Sequence, residues 1–237
     1  MPDSIWITDT TFRDGQQSRV PYTVDQIVTL YEMMHRLGGP NGIIRQTEFF
    51  VYSEKDRKAL EKSMEMGFQF PEITTWIRAT KKDFDLVKDI GIKETGILVS
   101  CSDYHIFKKL NMTRAQALDH YLGVVSDALD HGLRPRCHFE DITRADYYGF
   151  VLPFVNKLME LSHQANIPIK IRACDTMGYG VPYPGAALPR SVPGIVYGLQ
   201  HYSDVPNDML EWHGHNDFGK AIVNASTAWL YGACAVN

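Results

Sequence analysis

The sequence predicts a parallel (β/α)8 barrel, a TIM barrel, whose eighth strand begins as the chain stops. Strand-like and helix-like segments alternate seven times, and the strands start about every 30 residues, the length of one βαβ unit. Such alternation builds a parallel sheet covered by helices. Eight units close a barrel in about 250 residues, and this chain has 237. An open, doubly wound sheet is the alternative, disfavoured because no G-x-G-x-x-G motif follows the first strand.

The predicted strands are short runs of β-branched, aliphatic and aromatic residues. In chain order they cover residues 5–8, 43–50, 70–74, 95–101, 134–140, 167–174, 209–213 and, as the start of the eighth, 233–237. The run at 70–74 is the weakest of the set.

Helix signals fill the intervals between these strands. Thr23 with Gln26, and Thr113 with Gln116, have the spacing of capping boxes. The predicted helices cover residues 23–38, 53–67, 81–91, 113–132, 147–165, a segment that includes 196–202, and 217–231, with Ser53 and Asp217 as further N-caps. A loop rich in Gly and Pro spans 177–193.

The composition is that of an ordinary globular protein, with 44% hydrophobic and 22% charged residues. We expect a single catalytic domain over residues 1–237. A formal charge of −4 without a basic stripe argues against nucleic-acid binding. No apolar run reaches the roughly 18 residues of a membrane span, and no secretory signal is visible. The four cysteines (Cys101, Cys137, Cys174 and Cys234) lie in apolar surroundings outside any C-x-x-C pair, which predicts buried free thiols in the cytoplasm.

Polar side chains cluster where the predicted strands end, and the active site of a parallel barrel lies at those C-terminal ends. The clusters are Arg13 and Asp14 after strand one, Glu48 at the end of strand two, Ser100, Ser102 and His105 after strand four, Arg136, His138 and Glu140 on strand five, Asp175 and Thr176 after strand six, and His213 and His215 after strand seven. The strand-five residues alternate, so all three share one face.

The segment Glu211 to Asp217 carries a His-x-His pair at the end of an apolar run. Side chains two apart on a strand point to the same face, and neutral imidazole is the commonest metal ligand in proteins. His213 and His215 are therefore predicted to reach one metal ion together. Two surface histidines beside a turn, or one core histidine with a satisfied neighbour, would show the same pattern.

Two longer motifs carry a resemblance to a known family. Residues 9–17, D-T-T-F-R-D-G-Q-Q, resemble the D-T-x-L-R-D-G-x-Q signature of the isopropylmalate synthase and homocitrate synthase family, whose barrel also occurs in hydroxymethylglutaryl-CoA lyase and pyruvate carboxyltransferase domains. Residues 213–217 resemble its H-x-H-N-D motif, and Glu140-Asp141 and Asp175-Thr176 match its strand-five and strand-six motifs. The resemblance implies a metal-dependent acyltransferase that condenses acetyl-CoA with a 2-oxo acid.

The same resemblance implies a metal site. Asp14, His213 and His215 are its implied ligands, for Mg²⁺, Mn²⁺ or Co²⁺ first and Zn²⁺ as a further possibility, since all accept mixed nitrogen and oxygen ligands. The family's fourth protein ligand is an Asn after strand eight, in a G-E-R-x-G-N segment that does not occur in these 237 residues.

The resemblance also implies a substrate site beside the metal. Arg13 would polarise the keto oxygen, and Thr176 would hold the carboxylate of the 2-oxo acid. The other residues implied to line the site are Gln17 and Glu48. His105 and Glu140 are the candidates in this chain for the base that takes a methyl proton from acetyl-CoA.

Blander interpretations stay open for several of these residues. Arg13 and Asp14 could form a structural ion pair. Glu48 could only orient Arg13, and His105 could simply pack beside Tyr104. Arg172, within strand six, is expected to serve a buried ion pair.

Strand five favours a dicarboxylic substrate. Isopropylmalate synthases usually lack an arginine at the position of Arg136, whereas homocitrate synthases have one that faces the distal carboxylate, and a guanidinium suits a carboxylate. His138 stands where those enzymes have a serine. The chain is most similar to the branch of Re-type citrate synthases, which use oxaloacetate, so Arg136 and His138 are predicted to bind the substrate.

Two other functions compete with the condensation. A lyase of the same barrel would break the carbon–carbon bond, and a catalytically dead barrel would serve binding or assembly. The family suggests a homodimer. We expect the 237-residue chain to be weakly active or inactive, because an unfinished eighth strand would leave an open seam with unpaired edge groups.

Overall fold

A computed structural model describes residues 2–17 and 20–237. Eight parallel strands form a closed barrel in sequential order, which confirms the predicted fold class. The strands are β1 (Trp6–Asp9), β2 (Ile44–Phe49), β3 (Glu72–Arg78), β4 (Glu94–Ser100), β5 (Arg134–Glu140), β6 (Lys170–Asp175), β7 (Leu210–Gly214) and β8 (Ala235–Val236).

Helices follow the strands and cover the barrel through their apolar faces. They are α1 (Val24–Gly38), α2 (Glu54–Glu65), α3 (Lys81–Phe84), α4 (Arg114–Asp130), α5 (Leu152–Ala165), α6 (Val192–Ser203) and α7 (Ala221–Tyr231). The capping boxes of α1 and α4 and the Ser53 cap of α2 are present as predicted. Among the described residues, no helix combines the length and apolarity needed to cross a bilayer.

The seam between β8 and β1 is closed, so the predicted open edge is wrong. Trp6 N donates to Cys234 O at 2.9 Å, and Cys234 N donates to Leu210 O at 3.0 Å. β8 has only two residues, yet it pairs with both β1 and β7.

Three local predictions differ from the structure. β3 starts at Glu72, because Pro71 has no backbone N–H to give to the ladder. The helix predicted at 81–91 is a single turn that continues in i→i+3 hydrogen bonds, such as Val87 N to Phe84 O at 3.0 Å. Asp217 does not cap α7, because the Asn216 side chain accepts from Ala221 N instead.

The barrel interior holds charged side chains where branched aliphatic residues are usual. We call this set the interior ion network: Glu48, Glu94, Arg136, Lys170, Arg172 and Glu211, all buried. Arg172 bonds Glu48 and Glu211 at 2.8 Å each, as the buried ion pair expected for it. Buried charges persist only when they are paired and hydrogen-bonded, so this network explains how the sequence tolerates them. All four cysteines are buried and free, as predicted.

Candidate metal and substrate site

A cavity of about 340 Å³ opens at the C-terminal ends of the strands. The side chains that line it come from at least six strands and the loops after them, as expected of a barrel mouth. They are Arg13, Asp14, Gln17, Trp76, Arg78, Leu98, Lys109, His138, Glu140, Cys174, Thr176, His213 and His215. Eight of the eleven predicted site residues are in this lining, and Glu48, His105 and Arg136 are not.

Three of these side chains converge on one point. Asp14 Oδ2 lies 3.3 Å from His213 Nε2 and 3.7 Å from His215 Nε2, and the two Nε2 atoms are 3.1 Å apart. Ligands about 2.1 Å from one ion lie roughly 3.0–3.4 Å from each other at tetrahedral or octahedral angles. Two of the three separations lie in this range and the third is slightly longer, so the spacing of this Asp–His–His cluster suits a divalent metal ion.

The protonation of the cluster also fits a cation. Contacts with His213 and Arg13 outweigh burial and hold the pKa of Asp14 well below its ordinary value, so the carboxylate is ionised. Burial lowers the pKa of His215, and the neighbouring His213 lowers it further. An ionised carboxylate that faces two imidazole nitrogens is a donor set suited to a divalent cation.

Asn237 orients His213, and sequence reasoning missed it. Its Nδ2 donates to Glu211 Oε1 at 3.2 Å, so its Oδ1 faces His213 and accepts from Nδ1–H. The lone pair of His213 is thereby left on Nε2, which faces Asp14. A hydrogen bond to the second ring nitrogen is the usual device that fixes a ligand tautomer. The available signal was a polar residue immediately after a barrel strand.

Arg13 links the cluster to the interior ion network. Its guanidinium bonds Asp14 Oδ1 at 2.8 Å and Glu48 Oε2 through Nε at 3.1 Å, and lies 5.6 Å from the Trp76 ring centroid. Held from both sides, it keeps one direction toward the cavity that it lines. The ion pair between Arg13 and Asp14 is therefore present, and both of its members line the cavity.

Glu48 does not line the cavity, which corrects its predicted contact with substrate. It is fully buried, and its Oε1 accepts from Arg136 at 2.5 Å and from Arg172 at 2.8 Å. Burial raises the pKa of Glu48, but the arginines around it lower that pKa further, so the carboxylate is ionised. Its observed role is to orient Arg13 and to neutralise the arginines beneath the cavity.

Arg136 is also displaced from its predicted role. It is fully buried below the cavity, and its nitrogens contact Glu48, Thr74 Oγ1 at 2.9 Å and Glu94 at 2.9 Å. Strand parity places Arg136 and His138 on one face, but Arg136 lies one layer deeper. Its anionic partners belong to the protein, so direct contact with a substrate carboxylate is not supported by this structure.

Glu140 lines the cavity on the side opposite Asp14, the carboxylate of the Asp–His–His cluster. Lys109 Nζ donates to its two oxygens at 3.0 and 3.1 Å, and Ser100 Oγ donates to Oε2. His105 Nδ1 lies 3.4 Å from Glu140 Oε2, outside the cavity lining. Lys109 and His105 both belong to a π-helical turn, Tyr104–Lys109, after β4. Such turns often occur at functional sites.

Thr176 and Gln17 both line the cavity. Thr176 Oγ1 accepts from Asp141 N at 2.9 Å, which leaves its hydroxyl proton for another acceptor. Gln17 is exposed at the rim of the cavity. A carboxylate bound in the cavity would thus find a neutral donor in Thr176 beside the positive charge of Arg13.

The lowered pKa of Glu211 predicts how the free energy of unfolding depends on pH. Burial raises its pKa, but Arg172 and Arg136 lower it to about 2, from an ordinary value of 4.5. A depressed carboxyl pKa stabilises the fold above pH 4.5, and that contribution is lost as the pH falls toward 2. We expect Glu211→Gln to be less stable at pH 6 by an amount on the order of 3 kcal/mol, and this difference should shrink steadily below pH 4.5.

Urea unfolding of both proteins at several pH values measures this effect. The exposed Glu61 of α2 provides the control, because Glu61→Gln should shift stability by the same small amount at every pH. A constant gap between Glu211→Gln and the unaltered chain from pH 6 to pH 3 would show that Glu211 is not held ionised by its arginines.

The fold and the site together define a parallel α/β barrel with a candidate metal site at the C-terminal ends of its strands. Residues 4–237 match the family model described as HMGL-like. The chain therefore belongs to the HMGL-like family, and the resemblance inferred from the two end motifs is confirmed.

Comparison with curated proteins narrows the position within this family. The chain is 63% identical over 237 residues to a citrate (Re)-synthase of Clostridium kluyveri, and 64% identical over 235 residues to a citrate (Re)-synthase of Syntrophus aciditrophicus. A 2-phosphinomethylmalate synthase of Streptomyces hygroscopicus is 40% identical over 233 residues. These alignments cover 100%, 99% and 96% of this chain, but only 52%, 37% and 52% of the relatives. The chain thus spans about half the length of the curated relatives it matches, or less.

Solved structures show the same fold. A hydroxymethylglutaryl-CoA lyase from Pseudomonas aeruginosa superposes with a TM-score of 0.72 at 21% identity, over 100% of this chain and 76% of that one. The carboxyl transferase domain of Rhizobium etli pyruvate carboxylase superposes with a TM-score of 0.65 at 16% identity, over 99% of this chain and 40% of that one. At such identities the likeness establishes the barrel and nothing about substrates.

Proposed function

We propose that this chain is the barrel of an acyltransferase that condenses acetyl-CoA with a dicarboxylic 2-oxo acid, oxaloacetate first, to form citrate. The observation that carries the proposal is the convergence of Asp14, His213 and His215 beside Arg13 in one cavity. The identity to two citrate (Re)-synthases supports the choice of acceptor. A homodimer in the cytoplasm is part of the same proposal.

The Asp–His–His cluster would hold a divalent metal ion, with Mg²⁺, Mn²⁺, Co²⁺ and Zn²⁺ all compatible with its ligands. When bound, the ion supplies a Lewis acid and a template for the keto and carboxylate oxygens of the acceptor. The cavity residues around the cluster perform the remaining tasks.

Arg13 and Thr176 would act on the acceptor. The Arg13 guanidinium stabilises the negative charge that develops on the keto oxygen as the new bond forms. The Thr176 hydroxyl donates a hydrogen bond to the carboxylate next to the keto group. Because Arg13 is already fixed by Asp14 and Glu48, little reorganisation is needed when the charge appears.

Glu140 would act on acetyl-CoA. It accepts the proton lost by the methyl carbon, and that carbon then forms the new bond to the keto carbon of the acceptor, whose oxygen becomes an alkoxide and takes up a proton. Hydrolysis of the product thioester by water then breaks its carbon–sulfur bond and releases citrate and CoA. Lys109 and Ser100 position the carboxylate. His105 touches Glu140 from outside the cavity, so we assign it a positioning role.

Citrate formation tests the proposal. We would assay the 237-residue chain alone and fused to the C-terminal part of the Clostridium kluyveri relative, with acetyl-CoA, Mn²⁺ and each of oxaloacetate, 2-oxoglutarate and 2-oxoisovalerate. The fusion should release CoA fastest with oxaloacetate, and Asp14→Asn should abolish the release. A fusion that binds metal yet condenses none of the acids, or that only cleaves citrate derivatives, would overturn the proposal and favour a binding or lyase role.

A further inference from the structure

The loop after β6 begins with a turn that is held by one buried carboxylate. Asp175 is fully buried, and its Oδ1 accepts from Tyr179 N and from Thr143 Oγ1 at 2.8 Å each. Its Oδ2 accepts from Gly180 N at 2.8 Å. An added Cβ on Gly180 would lie 2.8 Å from Asp175 Oδ2, so the turn has no room for a side chain there. Asp175 therefore fixes the turn that contains Thr176.

This turn lies directly against the loop that carries His215, one of the candidate metal ligands. His215 N donates to Asp175 O at 3.2 Å. Gly178, which has a φ of +66°, lies so close that an added Cβ would be 3.0 Å from His215 O. Thr176, which is proposed to bind the acceptor, and His215 thus belong to two loops that are in backbone contact.

A second contact joins the same two loops farther from the cavity. Gly180 O accepts from Lys220 Nζ at 2.8 Å and from Asn224 Nδ2 at 3.0 Å. Lys220 follows His215 along the chain after one tight turn, in which Gly219 N donates to Asn216 O at 3.0 Å. We call the set of Asp175, Gly180, Lys220 and Asn224 the loop brace.

The position of Lys220 is unfavourable for helix α7 itself. Lys220 is the N-cap residue of α7, but its side chain does not cap the helix. Asn216 Oδ1 does so instead, by accepting from Ala221 N at 3.1 Å. A positive charge at a helix N-terminus opposes the helix dipole. The contacts that offset this cost are the hydrogen bond to Gly180 O and the Phe218 ring, whose centroid lies 5.6 Å from the ammonium nitrogen.

We propose, resting on the proposed function, that Lys220 is a positioning residue for the acceptor. By holding Gly180, it keeps Thr176 at a fixed separation from His215. One 2-oxo acid can then bind the metal ion and the Thr176 hydroxyl at the same time. Asp14 and the two histidines converge without help from the brace, so loss of Lys220 should weaken binding of the acceptor and leave binding of the metal ion unchanged.

Two calorimetric titrations test this split without turnover. The first adds Mg²⁺ to the chain, and the second adds freshly prepared oxaloacetate to the Mg²⁺-loaded chain. Lys220→Met keeps the length of the side chain and removes the donor. It should lower oxaloacetate affinity about fivefold, as expected for one lost hydrogen bond, at unchanged Mg²⁺ affinity. Lys220→Arg keeps a cationic donor and should restore most of the loss. Lys157→Met, at an exposed position on α5, should change neither affinity.

The outcomes separate this inference from the proposed function. Unchanged oxaloacetate affinity in a folded Lys220→Met protein would overturn the role of Lys220, and so would an equal loss of Mg²⁺ affinity or no recovery in Lys220→Arg. Failure of the unaltered Mg²⁺-loaded chain to bind oxaloacetate would overturn the proposed function and this inference with it. If Lys220→Met does not fold, a crystal structure of the unaltered chain with Mg²⁺ and oxaloacetate decides. The bond from Lys220 to Gly180 O should persist while Thr176 contacts the carboxylate, and a broken bond would contradict the inference.

Discussion

Replacing Asp14 with Asn should lower the affinity of the chain for Mn²⁺ by about 100-fold or more. Asp14 supplies the single negative charge of the Asp–His–His cluster, and its carboxylate lies within 3.7 Å of both imidazole nitrogens. Even residues that only orient metal ligands contribute 10–100-fold to affinity, so the loss of a charged ligand should reach at least the upper end. The Asn side chain keeps the shape but removes the charge that pairs with Arg13.

Calorimetric titration of Mn²⁺ into both proteins measures the change. Asp25→Asn is a matched control, because Asp25 is an exposed acid of α1 and, among the described residues, pairs only with Lys62, in a surface contact at 3.4 Å. The Mn²⁺ affinity of this variant should match that of the unaltered chain. Equal Mn²⁺ affinity in Asp14→Asn would mean that the ion binds elsewhere.

Replacing Glu48 with Ala should lower the free energy of unfolding by about 3–5 kcal/mol, the usual loss when one partner of a buried ion pair is removed. In the part of the chain that the structure describes, Glu48 is the one carboxylate that pairs with all three of Arg13, Arg136 and Arg172. Without it, positive charges would remain in a fully buried layer, and a cavity would be left as well. Arg13 would also lose the contact that orients it.

Urea unfolding monitored by circular dichroism gives this free energy. Glu48→Gln keeps the size and an acceptor oxygen, so its loss should fall between those of the Ala variant and the control. Glu61→Ala, on the exposed face of α2, should stay within about 0.5 kcal/mol of the unaltered chain. A Glu48→Ala protein less than 1 kcal/mol below the unaltered chain would contradict the central role of Glu48 in the interior ion network.

Much of the fold was accessible from the sequence, because local signals and global topology agree. The capping boxes at Thr23 and Thr113 set helix starts that the structure reproduces. The alternation of strands and helices leaves few topologies once connections are right-handed. The predictions that were wrong depended on local details that the pattern of strands and helices in the sequence does not contain. Two residues were enough to close β8, and Asn216 took the capping role expected of Asp217.

The candidate site, like the fold, was predicted from the sequence only in part. Strand parity placed His213 and His215 on one face, and the family resemblance of the two end motifs added Asp14 to them. Strand parity shows which face of the sheet a side chain is on, but it does not show how deep along the barrel axis that side chain lies. Arg136 and His138 share a face, but only the ring of His138, lying over Gly96, reaches the cavity. The partners of Glu48 come from β5, β6 and the loop after β1, so no local pattern could reveal them.

The metal position is the most direct test of the account. Crystals soaked in Mn²⁺ and measured near the manganese absorption edge would give an anomalous difference map. We expect a single strong peak about 2.1 Å from Asp14 Oδ2, His213 Nε2 and His215 Nε2. A map with no peak between these three atoms, or with the His213 and His215 rings turned away from each other, would contradict the metal site and the function proposed from it.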